Sequence, residues 1–260
     1  MAPDWRKIIR IFEAAEADKR SFLLEPEVYA VLRVLGVEAP RFFFVKKGEK
    51  ASPKKLESLG STSVVLKIVS PSLVHKTDVG GVAFVKNEPG EVNRGIRRML
   101  VEVPQKLAKC VPAFGGARGS SFRKREPDIR GTLVLEKVAY EDIGFGSELL
   151  LGIRHSREFG PVVTVGLGGL DVEYVNDRLK DEQAVGIGSA HLLRRKEILP
   201  LLKPLAFYDK LTVGFRGRKP VLRREELVDL YDRFVQLARA FSPPAHRFPY
   251  IIEDAEVNPF

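Results

Sequence analysis

The chain has 260 residues, and 44% of them are hydrophobic, which is enough for one large domain or for two small domains that share a cleft. Its single cysteine, Cys110, excludes a disulfide within the chain and a cysteine-based metal cluster. It has no long apolar run, and its charged N-terminus lacks an apolar signal core, so we predict a cytoplasmic protein without a membrane span.

Basic residues exceed acidic residues by nine. Three partners or settings explain such an excess: nucleic acid, an anionic small ligand such as a nucleotide, or the charged surface of a thermophile protein. The charged residues make up 30% of the chain and include many arginines, which favours the thermophile surface. Because the basic residues are spread along the chain, a nucleic-acid-binding arm is disfavoured.

The first half of the chain predicts alternating helices and strands. Residues 5–36 predict two helices, the second of which has Pro26 in its first turn and ends at Gly36. "APRFFFVKK" predicts a short strand, and "TSVVLKIVS" predicts a central strand because its apolar run is nearly continuous. "GVAFVKN" then predicts another strand, and residues 89–110 predict a basic helix.

The second half begins with three predicted strands, in "IRGTLVLEKVA", "GSELLLGIRHS" and "GPVVTVGLGGLDVEYV". Residues 176–202 form a mixed segment for which we predict partial helix. "REELVDLYDRFVQLARAF" predicts an amphipathic helix with one apolar face, formed by Leu227, Leu230, Phe234, Leu237 and Phe241. A final strand is predicted in "PYIIEDAEVNPF". Helices combined with mostly antiparallel strands indicate an α+β fold.

The stretch "SPSLVHKTDVGGV" follows the predicted central strand and concentrates polar residues around a glycine pair. Lys67 lies in the apolar strand itself, where its ammonium group needs a phosphate partner, a carboxylate partner, or a route to water. The glycine pair either lets the backbone approach a ligand or forms a plain hairpin turn. His75 is either a nucleophile or a loop residue that orders Asp78 or a backbone carbonyl.

The C-terminal "EVNP" places Glu256 and Asn258 two residues apart on a predicted strand, so their side chains lie on the same face. Their carboxylate and amide oxygens are ligands that suit Mg²⁺. A glutamate and an asparagine at this spacing are common by chance, so the pattern supports a Mg²⁺ site mainly because it follows the other motifs in the sequence.

Five segments in order resemble a known family: "LLEPEVYAVLRVLGVEAP", "VVLKIVSPSLVHKTDVGGV", "ELLLGIRHSREFGPVVTVGLGGLDVEYVND", "VGFRGRKP" and "IIEDAEVNP". Together they resemble the ATP-grasp (β) subunit of NDP-forming acyl-CoA synthetases, the acetate–CoA ligase (ADP-forming) family, which is related to succinyl-CoA synthetase. The resemblance implies one ATP-grasp domain over residues 1–260. It would contain an N-terminal helical segment at 5–36 and two α+β subdomains, approximately 40–130 and 131–260, with the nucleotide between them.

The resemblance also implies an activity and a set of site residues. The expected enzyme converts acyl-CoA, ADP and phosphate to the acid, ATP and CoA through a phosphohistidine relay. The implied catalytic residues are His75 and Asp78, with His75 taking part in the relay to ADP. The implied ATP/ADP-binding residues are Lys67, Lys76, Gly80, Gly81, the hinge-like Glu136 and Glu148. Glu256 and Asn258 are the implied Mg²⁺ ligands.

The same resemblance implies a partner. The sequence contains no CoA-binding Rossmann segment, so the expected enzyme needs a separate CoA-binding α subunit that carries the acyl-CoA and phosphohistidine chemistry. A hetero-oligomer is therefore expected.

Two other hypotheses stay open. The first is a regulatory or scaffolding protein that retains the fold and nucleotide binding but has weakened catalysis. It is motivated by a divergent segment between Asp177 and Pro204 and by the end of the sequence at Phe260, where relatives add a strand that often supplies an aspartate near the metal. The second is an RNA-binding protein, motivated by the net charge and "RGSSFRKRE". It ranks last because no aromatic-rich RNA motif is present.

Overall fold

The computed structural model describes residues 3–73, 76–110, 127–138, 148–169, 178–214, 219–243 and 248–258, without the side chains of residues 109, 110, 181 and 182. The chain divides into two compact units, residues 1–140 and 141–260. Each unit contains a four-stranded sheet in which every described pairing is antiparallel. This arrangement of helices and antiparallel sheets confirms the predicted α+β class.

The first unit contains four helices and four strands within its described residues. In chain order these are α1 (Trp5–Ala17), α2 (Glu25–Val34), β1 (Phe42–Lys46), α3 (Pro53–Glu57), β2 (Ser63–Val69), β3 (Val82–Lys86), α4 (Pro89–Cys110) and β4 (Gly131–Glu136). The strand order in the sheet is β1-β4-β2-β3. Strand β2 therefore has a neighbour on each side, which confirms its prediction as a central strand.

The two faces of β2 belong to different clusters of apolar side chains. Val64, Leu66 and Ile68 pack into a core that also includes α4 residues, namely Val92, Ile96, Met99 and Val103. Val65 and Val69 lie on the opposite face, which is lined by Leu24, Tyr29, Phe42, Phe44, Leu133 and Leu135. Because side chains alternate along a strand, Lys67 lies on this second face, beside the start of α2.

The start of α2 is fixed by a buried arginine. Leu24 precedes the helix and has no side-chain oxygen to cap it, but its backbone N–H donates to Glu27 Oε2 at 2.6 Å. The Arg20 guanidinium donates two hydrogen bonds to the same carboxylate, at 2.8 and 2.7 Å. The Arg20 side chain is only 7% exposed. These bonds hold the first turn of α2, which includes Glu25, in one position.

The remaining elements among the described residues lie in the second unit. They are β5 (Leu149–Ser156), β6 (Gly160–Leu167), α5 (Asp181–Ala184), β7 (Val185–Ser189), α6 (Arg195–Leu202), α7 (Tyr208–Thr212), α8 (Arg224–Phe241) and β8 (Asp254–Val257). Their strand order is β7-β6-β5-β8. The segment predicted to be partly helical thus contributes α5, the edge strand β7 and α6.

Helix α8 covers one face of this second sheet. Leu227, Phe234, Leu237 and Phe241 are buried, as the amphipathic pattern predicts, whereas Leu230 is half-buried. The hydroxyl of Tyr231 donates to the backbone oxygen of Val163 in β6 at 2.7 Å and fixes the helix to the strand. The other face of the sheet carries a cross-strand row of Glu256, Gly152, Thr164 and Ile187.

The division between the units falls after β4. This strand pairs with β1 and β2 in the first sheet, although the predicted boundary at residue 130 assigned it to the second subdomain. Its partners are distant in sequence, so local pattern did not reveal which sheet it joins. Among the described residues, every helix is too short or too polar to cross a membrane.

Candidate functional site

Lys67 and Lys76 converge on one carboxylate in the first unit. Lys67 Nζ donates to Glu25 Oε1 at 2.6 Å, and Lys76 Nζ donates to Glu25 Oε2 at 3.1 Å. Tyr29, one helical turn after Glu25, donates its hydroxyl to Oε1 at 3.0 Å. Lys67 is 29% exposed, and Lys76 and Glu25 are each 21% exposed, so the cluster is partly desolvated. One negative and two positive charges leave it with a net charge of about +1.

The titration of Glu25 reflects two opposing effects. Burial raises the pKa of the Glu25 carboxyl, but the charges and hydrogen bonds of Lys67 and Lys76 outweigh burial and hold the pKa below its usual value. Burial, reinforced by the Glu25 charge, raises the pKa of the Tyr29 hydroxyl. At neutral pH, Glu25 is therefore ionised and Tyr29 remains a hydrogen-bond donor.

The turn at residues 76–81 brings the second lysine to this cluster. Gly81 N–H donates to the Lys76 backbone oxygen at 2.6 Å, and Ile68 N–H donates to the Gly81 oxygen at 2.8 Å. A Cβ atom at Gly81 would lie 2.7 Å from the Lys76 oxygen, so the closed turn requires glycine. Gly80 has a φ of +73°, which also favours glycine.

Of the two predicted catalytic residues, Asp78 lies within this turn, and His75 precedes it in sequence. Asp78 is exposed. His75 lies outside the described residues, and its part in catalysis stays a prediction.

A third ammonium group borders the turn. Lys106 of α4 places Nζ over Gly80, where an added Cβ atom would be 2.8 Å from it. Lys106 also pairs with Glu102 one turn earlier, at 3.4 Å. The turn therefore has the Lys106 ammonium of α4 against Gly80, while its first residue, Lys76, shares Glu25 with Lys67.

Glu136, the residue predicted at the hinge, ends β4 and binds Arg41. Its carboxylate accepts hydrogen bonds from Arg41 N and Nε, both at 2.7 Å. Burial raises the pKa of this carboxyl, but the Arg41 hydrogen bonds outweigh burial and hold it below its usual value. The N–H groups of Glu136 and Lys137 donate to the backbone oxygens of Arg41 and Ser63, at 2.9 and 3.1 Å. In this structure both N–H groups therefore already donate hydrogen bonds within the first unit.

In the second unit, the structure brings together Glu148, the "GLGG" turn and Asn258. Gly168 N–H donates to the Glu148 backbone oxygen at 2.8 Å, and Gly169 N–H donates to Asn258 Oδ1 at 2.9 Å. The Glu148 carboxylate lies over Gly169, where any side chain would collide with it. Three segments far apart in sequence thus meet at one end of the sheet.

The oxygen donors in this region fit Mg²⁺ chemically. Asn258 Oδ1 keeps a lone pair after accepting from Gly169, and Glu256 is exposed two residues earlier on β8. Within the described ranges, no group of three or more His, Cys, Asp or Glu side chains is placed to hold a metal. Mg²⁺ nevertheless often has only one or two protein ligands, because it keeps several waters and takes further ligands from phosphates.

Comparison with protein families identifies the fold. A family model described as an ATP-grasp domain matches residues 14–112 and 119–260. The chain belongs to the ATP-grasp domain family. This confirms the predicted fold.

Curated relatives of this ATP-grasp chain include ADP-forming ligases. It is 29% identical over 233 residues to the β subunit of acetate–CoA ligase (ADP-forming) I of Pyrococcus furiosus, covering 89% of this chain and 85% of that protein. It is also 29% identical over 255 residues to 4-hydroxybutyrate–CoA ligase (ADP-forming) of Nitrosopumilus maritimus. That match covers 97% of this chain but 30% of the relative, so the chain spans less than a third of that protein's length.

Two solved structures from Ca. Korarchaeum cryptofilum are similar to the ATP-grasp chain. One is ACD1 in complex with coenzyme A, with a TM-score of 0.70, 26% identity, and coverage of 97% of this chain and 92% of that chain. The other is a dinucleotide-forming acetyl-coenzyme A synthetase 1 with coenzyme A, Ca-AMPCP and HgCl⁺. Its TM-score is 0.67 at 27% identity, with coverage of 96% and 91%.

The sequence did not single out three residues that the structure brings to the lysine cluster and the glycine turn: Glu25, Tyr29 and Lys106. Glu25 and Tyr29 lie in "LLEPEVYAVLRVLGVEAP", which contributed to the family resemblance but was assigned only a helix and no site residue. Lys106 lies in the segment that was predicted only as a basic helix. A carboxylate partner for Lys67 was among the alternatives, but nothing local identified it. Glu25 lies 42 residues from Lys67 and 51 from Lys76 along the chain.

Proposed function

We propose that this chain is the nucleotide-binding subunit of an ADP-forming acyl-CoA synthetase. The enzyme converts acyl-CoA, ADP and phosphate to the acid, ATP and CoA. The names of the relatives support this reaction class. The observation that carries the proposal within the chain is the convergence of Lys67 and Lys76 beside the glycine turn at residues 76–81.

The two lysines suit the phosphate groups of ADP and ATP. Each ammonium group has three N–H donors, so each keeps further donors after its bond to Glu25. Charge-assisted hydrogen bonds from ammonium to phosphate are strong where water is partly excluded, as it is here. Gly80 and Gly81 hold the backbone of the turn next to these cations, and Lys106 adds positive charge on the α4 side.

Glu256 and Asn258 would hold Mg²⁺ in the second unit, and Glu148, whose backbone oxygen binds Gly168 beside them, would contact the nucleotide. When bound, Mg²⁺ neutralises phosphate charge during transfer. Asn258 would keep its bond to Gly169 and offer its second lone pair to the ion.

His75 would take part in the transfer of the phosphoryl group to ADP. An imidazole nitrogen is a good nucleophile near neutral pH, and it can accept a phosphoryl group and pass it on. Asp78, three residues later, would assist it. In this proposal a separate CoA-binding α subunit converts acyl-CoA and phosphate to an acyl phosphate and CoA, and a histidine of that subunit takes the phosphoryl group and releases the acid. His75 then takes part in passing the phosphoryl group from that histidine to ADP. The name of the Pyrococcus relative, "subunit beta", is in line with such a partner.

The test has a binding step and a turnover step. Saturating Mg·ADP should raise the melting temperature of the chain, because a ligand that binds only the folded state stabilises it. After addition of the purified α subunit, acyl-CoA and phosphate, the wild type should form ATP. His75→Ala should bind Mg·ADP almost unchanged but lose turnover by orders of magnitude, whereas His155→Ala, on β5, should retain both.

The outcomes separate the competing hypotheses. Binding of Mg·ADP without any turnover by the wild type would favour the regulatory or scaffolding protein. If no purine nucleotide raised the melting temperature while RNA did, the chain would be an RNA-binding protein. Full turnover by His75→Ala would assign that histidine an ordering role only.

A further inference from the structure

The Glu25 carboxylate occupies a position suited to a phosphate group. Its two oxygens each accept from a different lysine, Lys67 at 2.6 Å and Lys76 at 3.1 Å. Two oxygens of one phosphate group satisfy two ammonium groups in the same way. The pair of cations that would bind the nucleotide is therefore already engaged with an anion of the chain itself.

Glu25 is better fixed than the lysines that bind it. It is the first residue of α2, whose first turn is held by the Arg20–Glu27 pair and by the bond from Leu24 N–H to Glu27. Tyr29 adds a direct bond to Glu25 Oε1. Lysine side chains, in contrast, have long flexible stems. An exchange of partners therefore requires only that the two ammonium groups rotate away from a stationary carboxylate.

The carboxylate also changes the local charge. With Glu25 ionised, the three side chains carry a net charge of about +1, and without it they would carry +2. All three are between 21% and 29% exposed, so water screens their charges less than at an open surface. Glu25 thus weakens the attraction of this cluster for any further anion.

We propose that Glu25 is an internal counter-anion that competes with nucleotide phosphate for Lys67 and Lys76 and so lowers the affinity of the chain for nucleotide. This inference rests on the proposed function, in which ATP is formed and must leave. Tight binding of nucleotide before and after the chemical step does not accelerate that step. A resident carboxylate that recaptures both lysines favours the release of ATP.

The test compares Glu25→Gln with the wild type in calorimetric titrations with Mg·ADP. Glutamine keeps the size of the side chain and one oxygen acceptor, but it removes the charge and replaces the second oxygen with an NH₂ group that cannot accept a hydrogen bond from a lysine. We expect Glu25→Gln to bind Mg·ADP roughly tenfold more tightly, because one charged hydrogen bond between residue 25 and a lysine no longer competes with the phosphate. Glu38→Gln, which removes the same charge from an exposed position in the same unit, should bind like the wild type.

The result that overturns the proposal is unchanged or weaker binding by Glu25→Gln. A purely structural role for Glu25 gives weaker binding, so the direction of the change separates the two roles. Circular dichroism verifies that the variant is folded. If it is not, Glu25→Ala removes the same charge and is titrated instead, with the same expected direction.

A second ligand keeps this test independent of the proposed function. Sodium tripolyphosphate offers the phosphate chain without a base or ribose. If neither the wild type nor Glu25→Gln bound Mg·ADP, the proposed function would fail. Tighter binding of tripolyphosphate by Glu25→Gln would still support the counter-anion, and equal or weaker binding of tripolyphosphate would overturn it.

Discussion

At the scale of single residues, Lys67 and Lys86 make a matched pair. Both are lysines of the first sheet, and they lie on adjacent strands. Lys67 is half-buried and bonded to Glu25 on the face that α2 covers, whereas Lys86 is exposed at the end of the edge strand β3. If Lys67 binds phosphate, only Lys67 should matter for nucleotide affinity.

Lys67→Ala should therefore weaken Mg·ADP binding far more than Lys86→Ala. Loss of a charged hydrogen bond in a partly desolvated site costs about 1.5–3 kcal/mol, which is a weakening of about 10- to 150-fold. The exposed Lys86 should change the affinity by less than about twofold, because water screens its charge. Calorimetric titration of both variants measures the difference, and equal affinities would remove Lys67 from the site.

The residues of the proposed site were predictable only where the neighbouring sequence indicates their role. A lysine within an apolar strand requires a phosphate partner, a carboxylate partner or a route to water, and the structure gives Lys67 a carboxylate partner. Of the two alternatives for the glycine pair, the structure shows a closed turn at Gly81. The identity of the anion was not predictable. Glu25 reaches Lys67 only because α2 packs on the sheet, and that packing is a tertiary contact.

At the scale of elements, helices α2 and α8 begin with similar arrangements in different surroundings. In each, a glutamate of the first turn accepts from the backbone N–H of the residue before the helix, and an arginine binds the same glutamate. The Arg20 side chain in the α2 arrangement is 7% exposed, whereas the Arg223 side chain in the α8 arrangement is 78% exposed.

Arg20→Ala should destabilise the first unit by about 3 kcal/mol, because removal of one partner leaves the carboxylates of Glu27 and Asp18 without their buried cation. Arg223→Ala should cost less than about 1 kcal/mol, as exposed ion pairs usually do. Urea unfolding followed by far-UV circular dichroism gives both values. An equal loss of stability in the two variants would show that burial does not determine how much these ion pairs contribute to the free energy of unfolding.

The elements themselves were predictable where their pattern is long and regular. Helix α8 has several turns with one apolar face, and β2 has a nearly continuous apolar run, so both were predicted in place. Strand β7 was not predicted, because its sequence, "VGIGS", contains two glycines and lies between short helices. It forms a strand because β6 offers it an open edge, which no local signal encodes.

At the scale of the whole molecule, the family resemblance predicted the ATP-grasp fold, but local patterns did not predict which sheet strand β4 joins. The segment "GTLVLE" is a clear strand in sequence, yet its place between β1 and β2 depends on residues far away in the chain. Strand type is local information, whereas the choice of sheet is a property of the packed unit.

Carboxylates with lowered pKa values occur in both units. In the first unit, hydrogen bonds from Arg20 and Arg130 lower the pKa of Asp18 against the effect of burial, and the lysine and arginine partners of Glu25 and Glu136 outweigh burial. In the second unit, a hydrogen bond from Ser156 lowers the pKa of Glu158, and hydrogen bonds from Arg223 lower that of Glu226. Each of these groups binds its proton more weakly in the folded chain than in the unfolded chain.

The chain should therefore lose stability in acid. A carboxylate whose folded pKa is lowered stabilises the fold above its unfolded pKa, about 3.9 for Asp and 4.3 for Glu, and this stabilisation disappears as the pH falls through the folded pKa. We expect a nearly constant melting temperature between about pH 7 and pH 5 and a steep fall below about pH 4. Glu136→Gln cannot titrate at that position, so its melting temperature should fall less than that of the wild type over the same range. Scanning calorimetry from pH 7 to pH 3 provides the test, and an equal or higher melting temperature at pH 3 would contradict the stabilising role of these carboxylates.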